Sequence, residues 1–132
     1  MRFKIGEIHL DVDIDATSRF YAQQPQIEEN CPCGDCQYFQ EELIQQPIRL
    51  LELLKQMGVN LAKQPNINPD GICCVSDEVN YKKAYIGYYM VIGNTQKEQS
   101  YTDIGDNSIT EWSIKQNGEY LVFDFYIQYG RL

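Results

Sequence analysis

The sequence predicts an α+β domain: an antiparallel sheet of about five or six strands, with N-terminal and C-terminal hairpins and a central leucine-rich helix packed on one face. Three observations predict it. Apolar and polar residues alternate near both ends of the chain, each alternating run turns at a glycine-containing pair, and the clearest helical pattern lies between them. With 132 residues the chain is long enough for a single domain, 1–132, with its own core.

The first run is Arg2 to Ile14. Gly6-Glu7 puts glycine at the first central position of a two-residue turn, as type II′ geometry requires. Ile5 then faces Ile8 and Phe3 faces Leu10, so Phe3, Ile5, Ile8, Leu10, Val12 and Ile14 share the core face. Arg2 opposite Asp11 and Lys4 opposite His9 form the charged face. Residues 16–30 show no sustained period and contain Pro25, which predicts a loop with at most a short strand or turn near Phe20.

A helix is expected from Asp35, with Phe39, Leu43 and Ile44 inward, ending before Pro47. The run "PIRLLELLKQMG" predicts the main helix: Pro47 suits its first turn, Ile48, Leu50, Leu51, Leu54 and Met57 make an apolar stripe, and Gly58 suits a left-handed cap. Residues 64–71 read as a proline-and-glycine loop, and "ICCVS" as a short strand. "YKKAYIGYYMVIG" is apolar at both parities, as a strand covered on both faces would be. After a polar stretch, Asn117-Gly118 predicts a type I′ hairpin with Ile114 opposite Leu121 and Trp112 opposite Phe123.

Charge narrows the functional classes. Between Glu7 and Glu42, nine acids (Glu7, Asp11, Asp13, Asp15, Glu28, Glu29, Asp35, Glu41, Glu42) stand against one base, Arg19, which accounts for the whole net charge of −8. Such a field repels nucleic acid and anionic membranes and steers basic partners. The first fifteen residues lack the apolar run of a secretory signal, and no stretch approaches the roughly 20 apolar residues of a membrane helix. The expectation is a cytoplasmic protein with reduced thiols.

The stretch "CPCGDC" combines C-x-C (Cys31, Cys33) with C-x-x-C (Cys33, Cys36). Zinc takes four thiolate or imidazole ligands in a tetrahedron, so Cys31, Cys33 and Cys36 are candidate metal ligands, with Cys73, Cys74 or His9 as the fourth. Adjacent strand residues face opposite ways, so one of Cys73 and Cys74 at most is expected to join them; Cys73 is the candidate taken here. A redox reading would have Asp35 cap the helix and Cys36 sit in its first turn, where the dipole favours thiolate. The surrounding Glu28, Glu29, Glu41 and Glu42 are expected to oppose that by raising the thiol pKa values. "DVDID" lacks the glycine and glutamate of a calcium loop, having Ala16 and Ala22 at those positions. No glycine-rich phosphate loop or nucleophile-base pair is evident, so no catalytic residues are expected.

Cys31, Cys33, Cys36 and Phe39, followed by "LLELLKQMGVN" and "YYMVIG", resemble a group of small bacterial proteins that share a C-x-C-x-x-C run with a following aromatic and have no established activity. Tyr38 stands where those proteins tend to carry asparagine. The resemblance implies a similar α+β fold and no activity. In composition the chain is also similar in character to acidic immunity proteins that neutralise bacterial toxins. The expectation is therefore a non-enzymatic inhibitor that occludes a basic toxin domain through Asp11, Asp13, Asp15, Glu28, Glu29, Glu41 and Glu42, with Phe20 as an apolar anchor. The alternative is a small zinc-binding or thiol-redox protein built on the cysteine cluster.

Overall fold

The structure is a computed structural model; it describes residues 1–63 and 80–132 together with the backbone of Cys73–Cys74. The fold is mixed α+β. Among the described residues, seven strands, β1 (Arg2–Ile5), β2 (Ile8–Val12), β3 (Cys73–Cys74), β4 (Tyr81–Thr95), β5 (Gln99–Ile104), β6 (Ser108–Asn117) and β7 (Tyr120–Arg131), accompany four α-helices, α1 (Ile14–Ala22), α2 (Ile27–Asn30), α3 (Gly34–Glu41) and α4 (Arg49–Gln56). Six strands run antiparallel in the order β1-β2-β4-β7-β6-β5, and β3 joins the same edge of β4 that β2 uses. The loop expected at 64–71 and the outer residues of "ICCVS" lie outside the described residues.

Gly6 adopts φ 61, and β1 pairs with β2 through Ile5↔Ile8 and Phe3↔Leu10. The C-terminal hairpin differs from its expected register. Its turn is Gly118-Glu119, with Gly118 at φ 62, so Asn117 pairs with Tyr120, Ile114 with Phe123 and Trp112 with Phe125. A type I′ turn would require positive φ at Asn117 as well as Gly118; a glycine leading the turn needs it only once. Gln116 holds this choice, its Nε2 donating to the carbonyls of Gly118 (2.9 Å) and Gly93 (3.1 Å). Because the slip moves the partners by two, every side chain keeps its face. Trp112, Ile114, Phe123, Phe125 and Ile127 all stay buried.

The loop expected over 16–30 is instead α1 and α2. Asp13 ends the hairpin's alternation and also caps α1, its Oδ1 accepting from Ala16 N at 3.0 Å. The buried face of α1 is Thr17 and Tyr21, at i and i+4. Neither is aliphatic, so the helical period escapes a hydropathy reading. Pro47 precedes α4 rather than entering its first turn, since Ile48 is the N-cap. Leu50, Leu51 and Leu54 of α4 are fully buried, Gly58 takes φ 94, and Val59 closes the cap under cover of the core.

Between its pairings with β3 and β2, the edge of β4 is completed by side chains of α1. The Tyr21 hydroxyl donates to Met90 O (2.7 Å) and accepts from Met90 N (2.9 Å), while Thr17 Oγ1 accepts from Ile92 N (3.0 Å). Across the molecule, Tyr101 of β5 donates to Ile5 O of β1 at 2.8 Å. The two ends of the strand order are thereby tied by a side chain, and the sheet is curled without a backbone ladder to close it among the described residues. Arg49 at the start of α4 pairs with Asp103 of β5 (3.3 Å), which also accepts from Trp112 Nε1 (2.9 Å).

Candidate functional site

The cysteine cluster sits where α2 gives way to α3. Pro32 separates Cys31 from Cys33, and the chain enters α3 with Cys33 as its N-cap. The cap is the thiol itself rather than Asp35: Cys33 Sγ accepts from Cys36 N at 3.4 Å. Asp35 instead anchors the first turn to the sheet. Its Oδ1 receives Lys83 Nζ at 2.7 Å, and its carbonyl accepts from the Tyr85 hydroxyl at 2.8 Å. Tyr38 lies under the same lysine, with Nζ 5.0 Å from the ring centroid. Lys83 and Tyr85 were not legible as parts of this site, because nothing in sequence links them to a motif nearly fifty residues earlier.

The sulfurs of Cys31, Cys33 and Cys36 all lie within 4.8 Å of one another, and Cys31 donates to Cys33 across 3.3 Å. A tetrahedral zinc–thiolate site, with Zn–S near 2.3 Å, sets its sulfurs about 3.8 Å apart. Small side-chain rotations cover the difference. The three thiols differ in environment. Cys33 is exposed, and the amide of Cys36, then the thiols of Cys31 and Cys36, hold its pKa below the ordinary value. Cys36 is buried, and burial pushes its thiol up, with its two neighbours adding to the shift. Hydrogen bonds, burial and mutual contact set both shifts; the glutamates expected to raise the thiols are not what moves them. The donor set, three soft sulfurs with one amide N–H directed at Cys33, fits a thiophilic metal.

Of the expected fourth ligands, His9 is remote: it pairs with Lys4, and its carbonyl faces Thr95, whereas the cluster is anchored at Lys83 and Tyr85. The side chain of Cys73 lies outside the described residues, as does that of Cys74. The backbone of β3, however, comes within 8 Å of α3 by Cα separation.

The acids form two groups. Asp11, Asp13 and Asp15 line an open concavity of about 980 Å³ with Ile92, Gly93 and Glu119. Glu119 belongs to the C-terminal turn, and only the tertiary fold brings it there. Glu28 and Glu29 lie on α2, just before the cysteines, and Glu41 and Glu42 at the far end of α3, where Gln40 Oε1 accepts from Glu28 N at 3.0 Å. Asp13 N is held by Ile92 O and Asp35 by Lys83, nine residues apart on one strand, or about 30 Å along β4. Two acids have local duties as well: Asp13 caps α1, and Asp11 pairs loosely with Arg2 at 3.7 Å, both exposed. Phe20 is partly buried against Tyr21 and Tyr120, with ring centroids 5.2 and 5.8 Å away. Among the described residues no helix is long and apolar enough to cross a membrane. Comparison with protein-family models, with curated proteins and with solved structures found no match.

Proposed function

We propose that this protein binds a thiophilic metal ion of the zinc class through Cys31, Cys33 and Cys36, and that the bound ion fixes the α2–α3 corner as a non-catalytic clasp. The observation that carries this reading is the convergence of three sulfurs within 4.8 Å on a helix start anchored to the sheet by Asp35. Holding the ligands close before metal arrives lowers the ordering cost of chelation. The test is metal analysis of the full chain purified without chelators, paired with a free-thiol count. One zinc per chain with protected thiols is expected, and Cys33→Ser and Cys36→Ser should each lose it. Metal-free protein with readily titrated thiols, or with a reversible internal disulfide, would overturn the clasp in favour of packing or redox chemistry.

A second reading is supported by the acidic concavity. Asp11, Asp15 and Glu119 would receive basic side chains of a partner, in the manner of an immunity-type inhibitor occluding a cationic toxin domain. Reversing these three to lysine leaves the Asp13 cap intact. If this reading holds, association with a basic toxin domain encoded beside this gene should slow at least about 10-fold and lose its salt dependence. An unchanged association rate would remove the concavity from consideration.

A further inference from the structure

We infer that Cys33 is a site of reversible oxidation by a small hydroperoxide, which joins it to Cys31 in a disulfide and releases the metal from the clasp. The inference rests on the metal-binding reading above and adds the means by which that site is emptied. Exposure ranks the three thiols: Cys33 is exposed, Cys31 half-buried, and Cys36 buried at 3% as part of the core. Pro32 and Gly34, on either side of Cys33, are exposed as well, and a β-carbon built on Gly34 would meet nothing within 4 Å. A solute therefore reaches Cys33 first. As the N-cap of α3, Cys33 accepts from Cys36 N at 3.4 Å, which keeps the exposed thiol beside its neighbours. Cys31 Sγ lies 3.3 Å from Cys33 Sγ, so closing to a disulfide bond takes roughly 1 Å of approach.

The chemistry balances with one peroxide. The Cys33 thiolate attacks a peroxide oxygen and the O–O bond breaks; the sulfur becomes a sulfenic acid, and the other oxygen leaves as hydroxide and takes up a proton. The Cys31 thiolate then attacks the Cys33 sulfur, the S–S bond forms, and the S–O bond breaks to give a second hydroxide, which is also protonated to water. The two sulfurs give up two electrons between them and the peroxide receives both. A metal held by Cys31, Cys33 and Cys36 thereby loses two of its three cysteine ligands. The start of α3 keeps its hold on the sheet, because Asp35 is bound by Lys83 at 2.7 Å and by the Tyr85 hydroxyl at 2.8 Å, and neither contact involves a sulfur. Oxidation then empties the clasp without unfolding the corner. The oxidant that fits is uncharged, since the chain carries a net charge of −8 and Glu28 and Glu29 lie on the helix just before the cluster.

The test treats the full chain, loaded with zinc under anaerobic conditions, with hydrogen peroxide in the presence of a chromogenic zinc chelator. Release at least about 10-fold faster than without peroxide is expected, and slower release with the anionic glutathione disulfide at equal concentration. Alkylation in denaturant should then label Cys36, Cys73 and Cys74 and find Cys31 linked to Cys33, and dithiothreitol should restore all five thiols and zinc uptake. Zinc retained under peroxide, a disulfide that includes any other cysteine, irreversible over-oxidation of Cys33, or faster release by glutathione disulfide would overturn this inference while leaving the metal site standing. No zinc uptake before peroxide is added would overturn the metal reading and this inference together. These measurements use the wild-type chain and require no variant to fold.

Discussion

Tyr21→Phe is expected to destabilise the domain by about 2–4 kcal/mol, although it removes a single oxygen and leaves the ring in place. That hydroxyl serves two backbone groups at once, accepting from Met90 N and donating to Met90 O, on the edge of β4 away from β7, where no described strand pairs with Met90. In the variant both groups stay buried without a partner, and each unsatisfied group costs about 1–3 kcal/mol. Burial holds the Tyr21 pKa well above its ordinary value, so the phenol remains neutral and able to donate. The ring itself keeps its edge contact with Phe20. Urea denaturation of the two proteins measures the difference, and a loss below about 0.5 kcal/mol would mean that water or a local backbone shift replaces the hydroxyl.

The same residue shows why part of the fold was hidden in the sequence. The alternation from Phe3 to Val12 reports its face because each core position is aliphatic or aromatic and the outward residues Lys4, His9 and Asp11 are polar. α1 buries Thr17 and Tyr21 for the sake of their hydroxyls, so its inward face carries no hydropathy signal and the region reads as a loop. β5 carries no alternating signal for a related reason: its residues are mostly exposed or half-exposed, and its principal contacts are Tyr101 on Trp112 and Asp103 on Arg49. Asn117-Gly118 located the C-terminal hairpin, but its register depends on Gln116 reaching carbonyls of two other segments, which no local rule contains.

The candidate sites divide along similar lines. The spacing of Cys31, Cys33 and Cys36 is local, so their convergence could be read from the sequence. The clustering of acids in sequence spreads along the sheet, because the chain from Asp13, held at Ile92, to Asp35, held at Lys83, moves nine residues along β4. Sequence proximity places charges within one surface only when the intervening segment is short or folds back. Here α1 carries it away. Glu119 enters the concavity from the other end of the chain, through the turn that pairs β6 with β7.

Gly93→Ala should cost about 3 kcal/mol or more and loosen the β1–β2 hairpin from the rest of the sheet. A β-carbon at residue 93 would lie 2.2 Å from Asp11 O and 3.1 Å from Val12 Cα, and both obstacles are backbone. No rotamer change relieves such a clash; β2 itself must move. Gly93 cannot yield in the other direction, since its amide donates to Glu119 O and its carbonyl accepts from Gln116. Gly34→Ala is the matched control. Nothing lies within 4 Å of its added carbon, and in the first turn of α3 the change should be neutral or stabilising by up to about 1 kcal/mol. Hydrogen exchange in the Gly93 variant should rise at the amides of β1 and β2 before those of β6 and β7. Because the Val12↔Gly93 pairing also holds Asp11 and Asp13 at the concavity, the variant should weaken binding of a basic partner without altering any acid. Metal uptake at the cysteine cluster, anchored nearer the opposite end of β4, should persist, so the two candidate sites can be separated by one substitution that belongs to neither set of ligands.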